Sequence, residues 1–172
     1  MLKSLLLLRH AKSSRDNLAL DDFDRPLAER GREAAPAIGA ELASRRWLPE
    51  AVLVSPAKRT RQTWALVAAE LPAAPKAMFA KPLYMASPEQ LLQRIRKVAE
   101  TRQTLLVIGH NPGFEELALQ LASPGSDRNA LAGISEKFPT AALARFAFDG
   151  RWADLSAGEA KLTHYLRPRD LE

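Results

Sequence analysis

Leu5-Leu6-Leu7-Leu8-Arg9-His10 is a run of leucines that ends in two basic residues, and Leu105-Leu106-Val107-Ile108-Gly109-His110 is a second apolar run that ends in histidine. Short apolar runs of this kind predict strands that are buried on both faces of a sheet. In α/β proteins such a strand delivers the residue at its carboxyl end to the edge of the sheet where ligands bind. We therefore expect His10 and His110 to lie in one cleft.

Short apolar runs alternate with longer amphipathic segments along the whole chain, which is the pattern of βα units. Apolar residues at helical spacing form three stripes between the runs: Ala35, Ile38 and Leu42; Thr60, Trp64, Val67, Ala68 and Leu71; and Leu91, Ile95 and Val98. We predict strands near residues 2–8, 51–54, 77–80, 104–109, 143–148 and 162–166. The last two, joined by a turn at Asp149-Gly150, are expected to form an antiparallel edge. The predicted fold class is α/β, a three-layer sandwich with a mainly parallel central sheet and helices on both faces.

Several local signals mark where helices begin. Ser55-Pro56 is interpreted as an N-cap followed by proline at the first helical position, and Ser87-Pro88-Glu89-Gln90 as a capping box. Pro36 removes an amide donor from the helix predicted over 32–45, so that helix is expected to begin later or to be kinked. Residues 122–139 are interpreted as an irregular connection.

Length and composition limit the class of protein. With 172 residues, of which 47% are apolar and 26% charged, the chain is expected to form a single domain over 1–172. The absence of cysteine excludes disulfides, thiolate nucleophiles and cysteine-ligated metals, and fits a reducing compartment. The leucine run at the amino terminus is too short for a signal peptide, and no run is long enough to span a membrane. We expect a cytoplasmic protein with no membrane partner.

The balance of charge favours an anionic ligand. The formal net charge is +5 and the sequence pI about 9.8. Because acidic residues are interspersed with the basic ones, we do not expect a nucleic-acid partner.

Three basic segments follow predicted strands. Arg9-His10-Ala11-Lys12-Ser13-Ser14 offers a guanidinium fork and hydroxyl groups that suit an anionic tetrahedral group. In Ser55 to Thr63, a helix start adds free amides, and Arg59 and Arg61, two positions apart, cannot face the same way. One of these two arginines is expected to enter the cleft, but their spacing does not say which.

The third segment is Gly109-His110-Asn111-Pro112-Gly113, in which the glycine before the histidine allows backbone or ligand to approach closely. The helix that follows is predicted to bury Phe114, Leu117, Ala118 and Leu121. A single histidine at a strand end is more often structural than functional. Three basic segments at one sheet edge favour an anion site instead.

These segments resemble the motifs of the histidine phosphatase superfamily: Leu8-Arg9-His10, then Ser55-Pro56 followed by Arg59 and by Gln62-Thr63, then Gly109 to Gly113. Within this superfamily, the chain is most similar to the small SixA-type phosphohistidine phosphatases. It resembles them at Arg9 to Ser14, Asp24 to Leu27, Arg30 to Arg32 and Pro139 to Ala141. The resemblance implies that His10 is the nucleophile, that Arg9, Arg59 and His110 form the catalytic phosphate-binding pocket, and that Arg61 is a surface residue. It makes Ser14 a candidate for an additional hydrogen bond to the substrate.

The mechanism implied is attack of His10 on phosphorus, followed by hydrolysis of the phosphoimidazole, with no metal and no cofactor. One ring nitrogen of His10 must then be unprotonated while the other is held as a donor, and His110 is expected to be protonated. No general acid stands out, although Glu89 and Asp24 are candidates. Asp21, Asp22 and Asp24 are expected to pair with Arg15 and Arg25 rather than to bind a cation.

The missing acid favours phosphohistidine in proteins as the substrate, because an imidazole leaves phosphorus more easily than an alkoxide does. Small phosphomonoesters and a noncatalytic phosphate-binding module are the alternatives. The expected partner is a phosphorylated protein or a small phosphate-bearing substrate. His164, Trp47, Trp64 and Trp152 are interpreted as structural residues, with His164 facing solvent or capping an edge strand.

Overall fold

Six strands form one mixed sheet in the computed structural model, which describes residues 1–172. The strands are β1 (Leu2–Arg9), β2 (Ala51–Val54), β3 (Met78–Phe79), β4 (Thr104–Gly109), β5 (Leu143–Asp149) and β6 (Lys161–Leu166). Their order across the sheet is β3-β2-β4-β1-β5-β6. The first four run parallel, and β5 and β6 are antiparallel at one edge. All six strands lie near the predicted positions, but β3 is only two residues long.

Helices cover both faces of this sheet: α1 (Glu29–Ser44), α2 (Lys58–Ala68), α3 (Pro88–Ile95), α4 (Gly113–Leu121) and α5 (Arg128–Glu136). In β1, Leu5 and Leu7 pack into a core with α3, α4 and α5, whereas the alternate leucines pack into a second core with α1 and α2. The alternation follows from the two-residue period of a strand. The predicted three-layer α/β class is confirmed. None of the helices combines the length and apolarity needed to cross a membrane.

Two helix predictions need correction. The first helix begins at Glu29 and continues through Pro36, so the expectation of a later start is wrong. Gly31 lets the first turn of this helix pack closely on the backbone of Lys12, because a Cβ at that position would lie 2.2 Å from the carbonyl oxygen of Lys12. The expected irregular connection over 122–139 is also wrong, since it contains α5, whose N-cap Asp127 accepts a hydrogen bond from the amide of Ala130.

Other local predictions hold. Ser87 and Gln90 form the predicted capping box at the start of α3. Trp64 and Trp152 are buried as expected. Trp47 is half-buried, and its ring lies 4.8 Å from that of His164. His164, a residue of the edge strand β6, therefore packs against Trp47 instead of facing open solvent.

The strand register brings the functional segments together. Arg9 pairs with Gly109 at the carboxyl ends of β1 and β4, so the next residues, His10 and His110, are neighbours. The amide of His10 donates to the carbonyl of Gly109 at 3.0 Å, and the amide of Ser55 donates to that of Ile108 at 3.0 Å. The strands β1, β2 and β4 therefore all end at one edge of the sheet, where ligand sites of open α/β sheets lie.

Candidate active site

A cavity of about 260 Å³ lies at this edge, and we call it the strand-end cavity. It brings together four of the five residues singled out from the sequence: Arg9, His10, Arg59 and His110. The two histidine rings are 5.4 Å apart between centroids. Further lining comes from Lys12, Ser13, Arg15, Asp22, Arg25, Met85, Asn111 and Thr140. The walls thus carry many cations and a single carboxylate, which is the composition of an anion site.

His10 is held in one tautomer by the backbone. Its Nδ1 lies 2.7 Å from the carbonyl oxygen of Ala11, and because a carbonyl only accepts, Nδ1 must carry the proton. The ring is buried, and this burial, together with the charges of Arg59 and Arg9, lowers the pKa of His10 to about 3. Nε2 therefore keeps an unprotonated lone pair at neutral pH, the state that a nucleophile needs.

His110 is also neutral, but the arrangement of its bonds is different. An Arg59 terminal nitrogen lies 3.2 Å from Nδ1, and Ser55 Oγ lies 2.7 Å from Nε2. Since a guanidinium group can only donate, Nδ1 accepts and Nε2–H donates to Ser55. Burial and the charge of Arg59 lower the pKa of His110 to about 3. The expectation of a protonated His110 is therefore wrong for the protein without substrate.

Ser55 does not occupy the helix-capping position that its sequence context predicts. It is fully buried against His110, and α2 begins at Lys58 with Ala57 as its N-cap, so Ser55 does not cap the helix. The Ser55-Pro56 pair fits the local pattern of a helix start, and that pattern takes no account of residues from other segments. A buried serine directly after a buried strand was the signal that pointed to the site.

Replacing Ser55 with alanine is expected to leave the buried Nε2–H of His110 without a partner. Such a loss costs about 1–3 kcal/mol of folding free energy, and we expect kcat/KM to fall about tenfold as the ring loses its fixed orientation. Denaturant unfolding and turnover of an aryl phosphate measure the two effects. Ser87→Ala is the matched control, since Ser87 caps α3 without lining the cavity, so its loss should reduce stability without affecting turnover. Unchanged turnover in Ser55→Ala would contradict the orienting role.

The two arginines of the cavity carry unused donors. Arg9 Nε and Arg59 Nε are both buried, and neither has a hydrogen-bond partner within the protein. An unsatisfied buried donor is unfavourable, and a cationic one more so, unless a ligand satisfies it. Arg59 is 2% exposed, whereas Arg61 lies on the surface and donates from Nε to the carbonyl of Pro56. The structure thus places Arg59, not Arg61, in the cleft.

Asp22 is the carboxylate of the cavity. One of its oxygens accepts from Arg59 at 3.0 Å and from the Tyr84 hydroxyl at 2.5 Å, while the other accepts from Arg25. Partial burial alone would raise the pKa of Asp22, but the hydrogen bonds from Tyr84 and Arg59 lower it well below its usual value. Asp22 is therefore ionised and cannot donate a proton at neutral pH. Its pairing with Arg25 was expected, and its bond to Arg59 was missed.

The serine of the cavity is Ser13 rather than Ser14. Ser13 lines the cavity and accepts from Arg25 at 2.9 Å. The hydroxyl of Ser14 instead accepts from the amide of Asp16 at 3.1 Å and lies outside the lining. Successive residues in extended chain point in opposite directions, so an error of one position reverses which side chain faces the ligand.

Neither of the carboxylates proposed as a proton donor reaches the cavity. Asp24 is exposed and lies outside the lining, and Glu89 is exposed in the first turn of α3.

Gly109, the glycine before His110, allows the close approach of a side chain instead of backbone or ligand. A Cβ on Gly109 would lie 2.7 Å from the Phe114 ring. Nowhere in the chain do three or more histidine, cysteine, aspartate or glutamate side chains form a group that could hold a metal ion.

The low pKa values of the two histidines predict how stability depends on pH. In the unfolded chain both would titrate near 6.5, so between about 3 and 6.5 the unfolded state binds more protons than the folded state. The free energy of unfolding is therefore expected to fall as pH is lowered through this window, by up to about 1.4 kcal/mol per unit for each histidine. Denaturant titrations at several pH values measure the slope. His10→Asn should make it shallower, and a slope that is the same in this variant would refute the assignment.

Comparison with protein families matches residues 5–79 to the histidine phosphatase superfamily (branch 1). An uncharacterised protein of Mycobacterium tuberculosis is 40% identical over 163 residues, which cover 94% of this chain and 100% of that protein. An uncharacterised chloroplastic protein of Arabidopsis thaliana is 34% identical over 164 residues, covering 90% of this chain and 71% of that protein. The similarity thus extends over both of the histidine segments.

Solved structures share the fold. A protein from Nakamurella multipartitia, given the name SixA and a proposed phosphohistidine phosphatase activity, has a TM-score of 0.86 and 28% identity, covering 98% of this chain and 97% of its own. A second SixA with the same proposed activity, from Agrobacterium tumefaciens, has a TM-score of 0.79 and 29% identity, covering 96% and 98%. A SixA protein histidine phosphatase solved with tungstate matches in fold, with a TM-score of 0.80 and 24% identity over 98% of this chain and 99% of that one.

Proposed function

The chain belongs to the histidine phosphatase superfamily, and we propose that it hydrolyses phosphohistidine in proteins through a phosphorylated His10, without a metal ion. One observation carries the proposal: the guanidinium groups of Arg9 and Arg59 line the same cavity as His10, whose Nε2 is unprotonated. The cavity thus combines cationic groups that can bind an anion with a nucleophile that can attack it. Residues 1–172 act as one catalytic domain in this proposal.

In the first step, the lone pair on His10 Nε2 forms a bond to phosphorus while the bond from phosphorus to the leaving imidazole breaks. The electron pair of that bond stays on the leaving nitrogen, and the ring departs as a neutral imidazole because its other nitrogen carries a proton. In the second step, the oxygen of a water molecule bonds to phosphorus, the bond to Nε2 breaks, and a proton of the water passes to solvent. Inorganic phosphate and neutral His10 are the products, so the enzyme is restored.

Charge compensation comes from Arg9 and Arg59. Phosphoryl transfer involves little covalent work by the protein beyond positioning and electrostatic stabilisation. Donors that are already fixed need no reorganisation when charge shifts onto the phosphoryl oxygens. Arg59 is fixed by Asp22 and His110, and Arg9 by a 3.1 Å bond to the carbonyl of Phe138. The carbonyl of Ala11 stabilises His10 as it gains positive character.

The lack of a carboxylic acid that could donate a proton in the cavity favours phosphohistidine over ordinary esters. Asp22 is held ionised by Tyr84 and Arg59, and Asp24 and Glu89 lie outside the cavity. An alkoxide leaving group would need a proton donor that these residues do not provide, whereas an imidazole leaves with less proton assistance. The SixA neighbours with proposed phosphohistidine phosphatase activity support the same substrate class. The lack of cysteine fits the cytoplasmic location that we propose.

The alternatives make different demands on the site. Small phosphomonoesters would enter the same cavity, and aryl esters, whose leaving groups are weakly basic, are expected to be turned over slowly. A noncatalytic phosphate-binding module would need the arginines but not an unprotonated histidine held in one tautomer. The fixed Nε2 of His10 therefore favours catalysis.

The test is hydrolysis of a phosphohistidine-labelled carrier protein beside p-nitrophenyl phosphate and a serine phosphate ester, with and without EDTA. We expect release of phosphate from phosphohistidine at a kcat/KM well above that for either ester, and no effect of the chelator. Hydrolysis of the esters alone would refute the substrate class while leaving the phosphatase assignment intact. Loss of activity in EDTA that is restored by a divalent cation would refute the metal-free mechanism.

A further inference from the structure

A second cavity of about 250 Å³ lies beside the active site, and we call it the basic cleft. It is lined by Arg30, Glu136, Lys137, Pro139, Thr140, Arg167, Pro168 and Arg169. Thr140 lines both this cleft and the strand-end cavity, so the two are neighbours on one surface. The cleft takes no part in the mechanism described above.

The charges of the basic cleft are not balanced within the chain. Arg167 is paired with Asp170, but Arg30, Lys137 and Arg169 form no ion pair with any carboxylate. Glu136 is the only acidic residue in the lining. The three free cations come from the first turn of α1, the end of α5 and the turn after β6. Folding thus brings together like charges from three distant segments, which favours an anionic partner.

The character of the cleft indicates the kind of partner. Arg30, Lys137 and Arg169 are all exposed, and no charged side chain is buried there to grip a small anion in a fixed geometry. Exposed, long cationic side chains act on a partner mainly through their combined field, which speeds association and selects charge. Such a surface suits an acidic polypeptide better than a second phosphate group.

We propose that the basic cleft docks an acidic segment of the substrate protein next to its phosphohistidine, an inference that rests on the proposed function. The phosphohistidine side chain enters the strand-end cavity while flanking aspartate or glutamate side chains pass Thr140 and reach Arg30, Lys137 and Arg169. The cleft therefore determines which phosphohistidine proteins are dephosphorylated efficiently. It does not contribute to the chemical step.

Two short peptides test this, each carrying one phosphohistidine made with phosphoramidate and flanked either by glutamate or by glycine and serine. At low ionic strength, we expect the parent protein to favour the acidic peptide by about tenfold in kcat/KM, because several weak exposed ion pairs add together. The variant carrying Arg30→Gln, Lys137→Gln and Arg169→Gln should lose this preference. Its kcat/KM for p-nitrophenyl phosphate should stay within about twofold, since small substrates do not reach the cleft.

A matched control removes the same number of charges elsewhere. Lys76, Lys97 and Arg102 line a cavity near the amino ends of β2 and β4, at the opposite edge of the sheet, and form no ion pairs. Replacing all three with glutamine should preserve the preference for the acidic peptide. Equal loss in this control would assign the effect to net charge and overturn the proposal.

The remaining outcomes separate docking from function. Equal hydrolysis of the two peptides by the parent, or an unchanged preference in the cleft variant, overturns the docking proposal alone. If neither peptide is hydrolysed while p-nitrophenyl phosphate is, the phosphohistidine assignment fails. Binding of the unphosphorylated acidic peptide to the His10→Ala variant tests the cleft without turnover. That binding should weaken with added salt and with the three cleft substitutions, and its absence overturns docking.

Discussion

Replacing His10 with alanine is expected to lower kcat by at least about 10⁴-fold for phosphohistidine and for aryl phosphates alike, as expected when a nucleophile is removed. No other side chain can take over its role, because the second histidine of the cavity directs one ring nitrogen to Ser55 and the other to Arg59. Steady-state kinetics measure the loss. Acid-labile label on the parent protein after rapid quenching, and none on the variant, should accompany it.

The control for this substitution is His164→Ala, which removes the third histidine of the chain, the one that lies outside the cavity on the edge strand β6. It should retain turnover, although contact with the Trp47 ring is lost. Phosphate should still bind to His10→Ala, since both arginines that line the cavity remain. Near-normal turnover in His10→Ala would end the proposed mechanism.

Arg59→Ala is expected to lower kcat/KM by about 10³-fold, or about 4 kcal/mol of transition-state stabilisation. The substitution removes the buried Nε donor and also frees Asp22 and the Nδ1 of His110, which both accept from this guanidinium. The carboxylate of Asp22, which then keeps only Arg25 and Tyr84 as partners, repels the phosphoryl group more strongly, and this adds to the loss. Arg59→Lys should recover only part of the activity, because an ammonium group cannot reproduce the fork of donors.

Arg61→Ala is the matched control two positions along the same helix. Arg61 is exposed and its Nε donates to a backbone carbonyl, so its removal should change kcat/KM by no more than about twofold. Kinetics of both variants on the same aryl phosphate give the comparison directly. Similar losses in the two variants would mean that Arg59 acts only through the net positive field of the protein.

The core of the fold was predictable because burial leaves a strong periodic signal. The leucines of β1 and the apolar residues of β4 are buried on both faces, which fixes them as central strands. The helix α5 was missed because its apolar residues are few, with only Ala130 and Ile134 buried, and because Ser-Pro-Gly precedes it. Weak amphipathic segments depend on tertiary packing more than on their own pattern.

The site was predictable to the level of residues but not of atoms. Strand ends placed His10 and His110 in one cleft, and the resemblance selected Arg59 over Arg61. The role of Ser55 was misassigned, because local capping rules describe a helix start and cannot detect a histidine that comes from a distant strand. The proton on His110 was misassigned for the same reason, since burial and a neighbouring guanidinium set its pKa.

The sequence by itself determined the layers, the strands and the identity of the basic side chains at the strand ends, because each of these follows from periodicity and order along the chain. Only the tertiary structure decided the protonation of the two histidines, the engagement of Asp22 with Arg59 and Tyr84, and the assembly of the basic cleft beside the cavity. These features depend on distances between groups that are far apart in the chain. Hydrogen bonding and charge act through such distances, and no local pattern in the sequence records them.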